Sequence, residues 1–142
     1  MLSHKQRDKG MQNDVADAAK WAIAQGIADP GRICIIGSAA GGHTALSALH
    51  KDAPLFRCGA GIAALGAMPG VLKQPVLLAY GSGDPVMAGE GKKLADTLRA
   101  SGNAQVEFEV YDEQGQNGSL AASRIELWTR IARFLERHNG QR

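Results

Sequence analysis

Residues 32–44 read RICIIGSAAGGHT, an apolar run that breaks into glycines and re-enters a helix-forming segment. Residues 33–36 are apolar without polar alternation, the pattern of a strand covered by helices on both sides. Gly37, Gly41 and Gly42 permit a tight turn, and residues 44–49 continue as an apolar helix behind it. A strand, a tight turn and a helix start form the place where α/β enzymes hold a nucleophile or a phosphate.

The flanking segments repeat this alternation. Ahead of the turn, Asn13 and Asp14 open a helix, with Val15, Ala18, Ala19, Ala22 and Ile23 on one face, Trp21 packing beside it and Gly26 as the stop. Residues 1–10 are polar and are expected to form a flexible arm before one domain over residues 11–142. After the turn, residues 58–65 form a second strand weakened by Gly59 and Gly61. Residues 75–80 form the clearest, central strand. A helix follows over residues 90–100. In residues 106–110 apolar and acidic side chains alternate, so that strand is expected to lie at an edge and show one face to water. Ser123 and Glu126 have the spacing of a capping box for a last helix with Leu127, Trp128, Ile131, Phe134 and Leu135 as its apolar stripe. The fold class is therefore α/β, a mostly parallel sheet of about four strands with helices on both faces.

Composition removes several function classes. The chain has 142 residues, enough for one core, and a formal net charge of +2, too small to argue for nucleic acid. Arg124, Arg130, Arg133 and Arg137 collect in the last helix, but Glu126 and Glu136 interleave with them, as on a solvated face. Cys34 and Cys58 each sit in an apolar run and read as buried reduced thiols. The four histidines are scattered without ligand spacing, so neither metal nor cofactor is expected. No signal peptide and no membrane-spanning stretch is legible, which gives a cytoplasmic expectation.

In such sheets chemistry collects at the carboxyl ends of the strands. Here those ends carry residues 37–42, 81–84 and 112–118. Taken together, these segments resemble the α/β-hydrolase catalytic domain of the prolyl oligopeptidase family of serine peptidases, in truncated form. The resemblance runs through residues 14–30, 32–49, 55–59, 75–84 and 106–135.

That family carries its nucleophile in G-x-S-x-G-G followed by an aromatic residue. Aligned on the glycines, residues 37–42 keep the turn but place Ala39 where the serine belongs, with His43 in place of the aromatic. Ser38 does not replace the nucleophile, because its small flanking positions would then be Ile36 and Ala40. The family's acid follows a G-x-x-D turn, preserved here as Gly81, Ser82, Gly83 and Asp84. Its base lies in E-G-H-G before the last helix, and alignment on Gly115 puts Gln116 at the histidine position. Glutamine cannot accept a hydroxyl proton near neutral pH. The resemblance implies an oxyanion donor at the Ala40 backbone N–H, the other donor coming from an amino-terminal loop without a counterpart here.

The resulting expectation is a degenerate domain without peptidase or esterase activity that acts by binding or assembly. One alternative is a weakly active or repurposed serine hydrolase. A second is anion or nucleotide binding at residues 37–44, which come within one residue of the phosphate-loop pattern G-x-x-x-x-G-K-[ST] but lack its lysine. The resembled strand order puts residues 33–36 at an edge, where a second copy of the chain or a partner chain would cover them. Neither nucleic acid nor membrane is expected as a partner.

Overall fold

Three apolar runs and one strand of alternating apolar and acidic residues pair into one sheet, which satisfies backbone donors and acceptors that burial denies to water. The computed structural model describes residues 4–64, 71–112 and 120–139. The elements are α1 (His4–Ala24), β1 (Cys34–Ser38), α2 (Ala40–Lys51), a short 3-10 turn (Ala53–Leu55), β2 (Cys58–Ile62), β3 (Val76–Gly81), α3 (Pro85–Ala100), β4 (Val106–Tyr111) and α4 (Leu120–Asn139). The strands lie in the order β1-β2-β3-β4, all neighbours parallel. Cys34 sits opposite Cys58, Gly59 opposite Val76, and Val76 opposite Val106. All four strands therefore end along one edge, as the sequence predicts.

The period-2 pleat divides the core in two. Val76, Leu78 and Tyr80 face Leu46 and Leu49 of α2 and Ala95 and Leu98 of α3, with Val15 and Ala19 of α1 packed against that layer. Cys58, Ala60, Leu77 and Ala79 face Leu127, Ile131 and Phe134 of α4. Helices thus cover both faces, α4 alone on the second among the described residues. Gly59 is required by packing: a Cβ there would drive into the Leu49 side chain, so its absence lets α2 settle on β2.

Several expectations are corrected. Helix α1 begins at His4 instead of Asn13 and Asp14, so the segment expected to be a loose arm is helical from His4 on. Lys, Gln and Arg are good helix formers, and the helix runs on through Gly10. Trp21 is 60% exposed, as is Trp128 at 55%; neither is a core residue. Ser123 lies inside α4, and its hydroxyl donates to the Asp112 carbonyl at 2.6 Å, so it caps no helix start.

The reduced thiols are also corrected. Cys34 and Cys58 are joined in a disulfide, with Cα atoms 4.6 Å apart. Parallel register, which is not visible from the sequence, sets the two side chains opposite each other on one face, within bridging distance.

The edge strand β4 does not show its acidic face to water. Glu107 and Glu109 are half-buried under α4, where Arg130 pairs with Glu109 and with Glu126, and Arg137 and His138 pair with Glu107. Arg130 and Arg137 are accordingly sheet-binding residues rather than a solvated face. The hydrogen bond to Glu126, with Glu109 close by, holds the Arg130 guanidinium above its ordinary pKa. At the carboxyl end of α4, Arg32 donates to the Asn139 carbonyl at 2.9 Å and Arg57 donates to the His138 carbonyl at 2.5 Å. Two cations thus sit on terminal carbonyls, where the helix dipole favours them.

Candidate functional site: the elbow after β1

Ala39 links β1 to α2 with φ 51° and ψ −119°, a left-handed conformation that a residue with a Cβ adopts at a cost. Two sets of hydrogen bonds hold it there. Its N–H donates to the Ile62 carbonyl at the end of β2 at 2.8 Å, and its carbonyl accepts from the Gly42 and His43 N–H groups at 3.0 and 3.2 Å, starting the helix. The small flanks are obligatory, since a Cβ on Gly37 would overlap the Gly41 carbonyl and one on Gly42 would lie 3.0 Å from the Ala64 Cβ. Ala39 and Ala40 are exposed at the top of this turn. Ala40 opens α2, where a helix leaves its first N–H groups without intrahelical partners. The geometry presents a side chain at position 39 above the sheet beside an outward N–H, but the side chain is a methyl group.

A second strained residue, Ala63 at φ 50°, lies beneath the elbow. Its N–H donates to the Ala79 carbonyl at 2.7 Å, and the Tyr80 hydroxyl donates to the Ala64 carbonyl at 3.2 Å. Burial pushes the Tyr80 phenol up from its ordinary pKa. This support escaped the sequence reading because a left-handed alanine leaves no compositional mark.

Asp84 is brought to the same edge of the sheet as Ala39. Asp84 follows β3, two strand spacings or roughly 10 Å across the sheet from β1. Its carboxylate accepts the Met87 N–H at 3.0 Å and caps α3, with Pro85 in the first turn. Gln116 lies outside the described residues. The Ser38 side chain falls on the same face as Cys34 and Ile36 and is exposed at the end of β1. Half-buried His43 has its Nε2 3.5 Å from the Ser47 hydroxyl, and its buried Nδ1 makes no hydrogen bond to the described residues. Among the described residues no cluster of His, Cys, Asp or Glu could hold a metal, and no helix is long and apolar enough to cross a membrane.

Residues 3–70, which include α1, the elbow, α2 and β2, match the sequence model of the prolyl oligopeptidase family. Over that segment, a little under half of its length, the chain resembles the prolyl oligopeptidase family. Comparison with curated protein sequences gives no match. Among solved structures, the prolyl oligopeptidase-like chain is similar to a puromycin-hydrolyzing peptidase of Mycobacterium tuberculosis at 18% identity and TM-score 0.69, covering 85% of this chain and 24% of that one. Similar too is the dipeptidyl peptidase 4 of Porphyromonas gingivalis, at 22% identity and TM-score 0.69, with coverage of 89% and 22%. A prolyl endopeptidase aligns at 17% identity and TM-score 0.74, with coverage of 95% and 26%. At these identities the likeness shows the fold. The chain spans about a quarter of the length of these peptidases.

Proposed function

We propose that this prolyl oligopeptidase-like α/β-hydrolase domain is degenerate, without peptidase or esterase turnover, and acts by binding or assembly. The observation that carries the reading is the conformation of Ala39: the strained, small-flanked turn of a nucleophile is retained, and the residue held in it has no hydroxyl. Asp84 is the remaining acid, serving as a helix cap, and Gln116 stands at the base position. Losing nucleophile and base together costs on the order of a million-fold in rate. The expected result is hydrolysis of a p-nitrophenyl ester no faster than in buffer. Saturable turnover abolished by a serine-directed inhibitor would overturn the reading.

Assembly is favoured by the β1 side of the sheet. Among the described residues β1 has β2 as its only strand neighbour, and its apolar residues are only half-buried. On the α4 face beside it, Ile27, Ile36 and Leu135 line an open cleft of about 480 Å³. Unpaired apolar edges invite pairing with another chain, so a second copy or a partner chain is proposed to cover it. A light-scattering mass equal to the monomer at micromolar concentration, with no partner recovered in a pulldown, would contradict this part.

A further inference from the structure

The bond between Cys34 and Cys58 joins the first residues of β1 and β2, which are direct register partners. It is the covalent tie between the edge strand and the rest of the sheet, and the loop it closes, with a sequence separation of 24, contains the whole elbow and α2. The two sulfurs are unequally sheltered. Cys58 is fully buried beneath α4 with Ile131 and Phe134. Cys34 is half-buried and lines the open cleft together with Ile27, Ile36 and Leu135.

We propose that the Cys34–Cys58 disulfide is a redox latch on β1, opened from the cleft by an external dithiol that attacks the Cys34 sulfur. The inference is independent of whether the elbow is catalytically competent, and it concerns the unassembled chain, in which the cleft is open. In the first step a thiolate of the dithiol forms a bond to the Cys34 sulfur, the disulfide breaks, and Cys58 leaves as a thiolate and takes up a proton. In the second step the remaining thiolate of the dithiol attacks the mixed disulfide, Cys34 leaves and is protonated, and the dithiol becomes a disulfide. Two electrons pass from dithiol to protein. Closing the loop restricts the unfolded chain, so the latched form holds β1 and the elbow more firmly than the open form. Cys58, reduced, is a small apolar group in an apolar layer and needs no partner.

The test compares the air-prepared full chain before and after dithiothreitol. Expected are a mass lower by two hydrogens before reduction, no maleimide-reactive thiol in the denatured oxidised protein, and a melting temperature that falls by about 10 °C on reduction of the native protein. Brief exposure to limiting glutathione followed by acid trapping should place the adduct on Cys34. A variant carrying Cys34→Ala and Cys58→Ala should melt at the reduced temperature with or without dithiothreitol. Free thiols in the air-prepared protein, an unchanged melting temperature, an adduct on Cys58, or a bond reducible only after unfolding would each overturn the proposal; the wild-type measurements decide it even where the variant does not fold.

Discussion

The Ala39 N–H donates to the Ile62 carbonyl at 2.8 Å, so the strained residue that ends β1 is anchored to the neighbouring strand rather than to its own. β2 thus holds the elbow from the side, with a methyl group at its tip. Glycine at this position should relieve the left-handed conformation. Ala39→Gly is expected to stabilise the domain by about 0.5–1 kcal/mol in urea unfolding, and Ala39→Val to destabilise it by about 2 kcal/mol or more. A less stable glycine variant would mean that the position is unstrained.

Two glycines separate backbone from side-chain crowding. At Gly37 an added Cβ meets the Gly41 carbonyl, which cannot move without unwinding the first turn of α2, whereas at Gly59 it meets the flexible end of Leu49. Gly37→Ala should therefore cost more than Gly59→Ala, for which overpacking suggests about 1–3 kcal/mol. Denaturant midpoints of the two variants check the ranking, and equal costs would refute it.

Arg130 bridges Glu109 of β4 and Glu126 of α4 with its side chain still about a third exposed. Solvent screening limits such a pair, so Arg130→Ala is expected to cost about 1 kcal/mol, with a coupling to Glu109→Ala of about 0.5–1 kcal/mol in a double-mutant cycle. The coupling should shrink in 1 M salt, where the Debye length is about 3 Å. A coupling indistinguishable from zero at low salt would show that the Arg130–Glu109 pair contributes nothing to holding α4.

Tyr80 sets an alkaline limit. Burial raises its phenol pKa in the folded state, so below the unfolded value of about 10 both states are protonated and the contribution is intact. As pH rises above about 10 the unfolded chain loses the proton first and stability falls. Tyr80→Phe should remove that part of the loss while costing about 1 kcal/mol near neutrality through the hydrogen bond to Ala64. Urea melts at about pH 8 and about pH 11 measure both effects. An identical alkaline slope in the variant would count against the assignment.

The architecture was legible because apolar runs without alternation, broken by glycine and proline, report strand burial directly. Strand order, the elbow at residues 37–42 and the turn at Asp84 all lie where residue types and the family resemblance put them. What escaped depends on register and on one element meeting another. Cys34 and Cys58 are far apart in sequence and become partners only through parallel pairing. Glu107 and Glu109 alternate as a wetted face would, yet arginines from α4 cover them. Trp128 has the spacing of a core residue but lies at the flank of the stripe and remains exposed.

If the nucleophile's turn survives without its hydroxyl, a fluorophosphonate probe finds no activated serine to modify. Intact-mass analysis of the full chain after incubation should show no adduct on the wild-type protein. An adduct on any serine, with Ser38 the first to be mapped, would contradict the account.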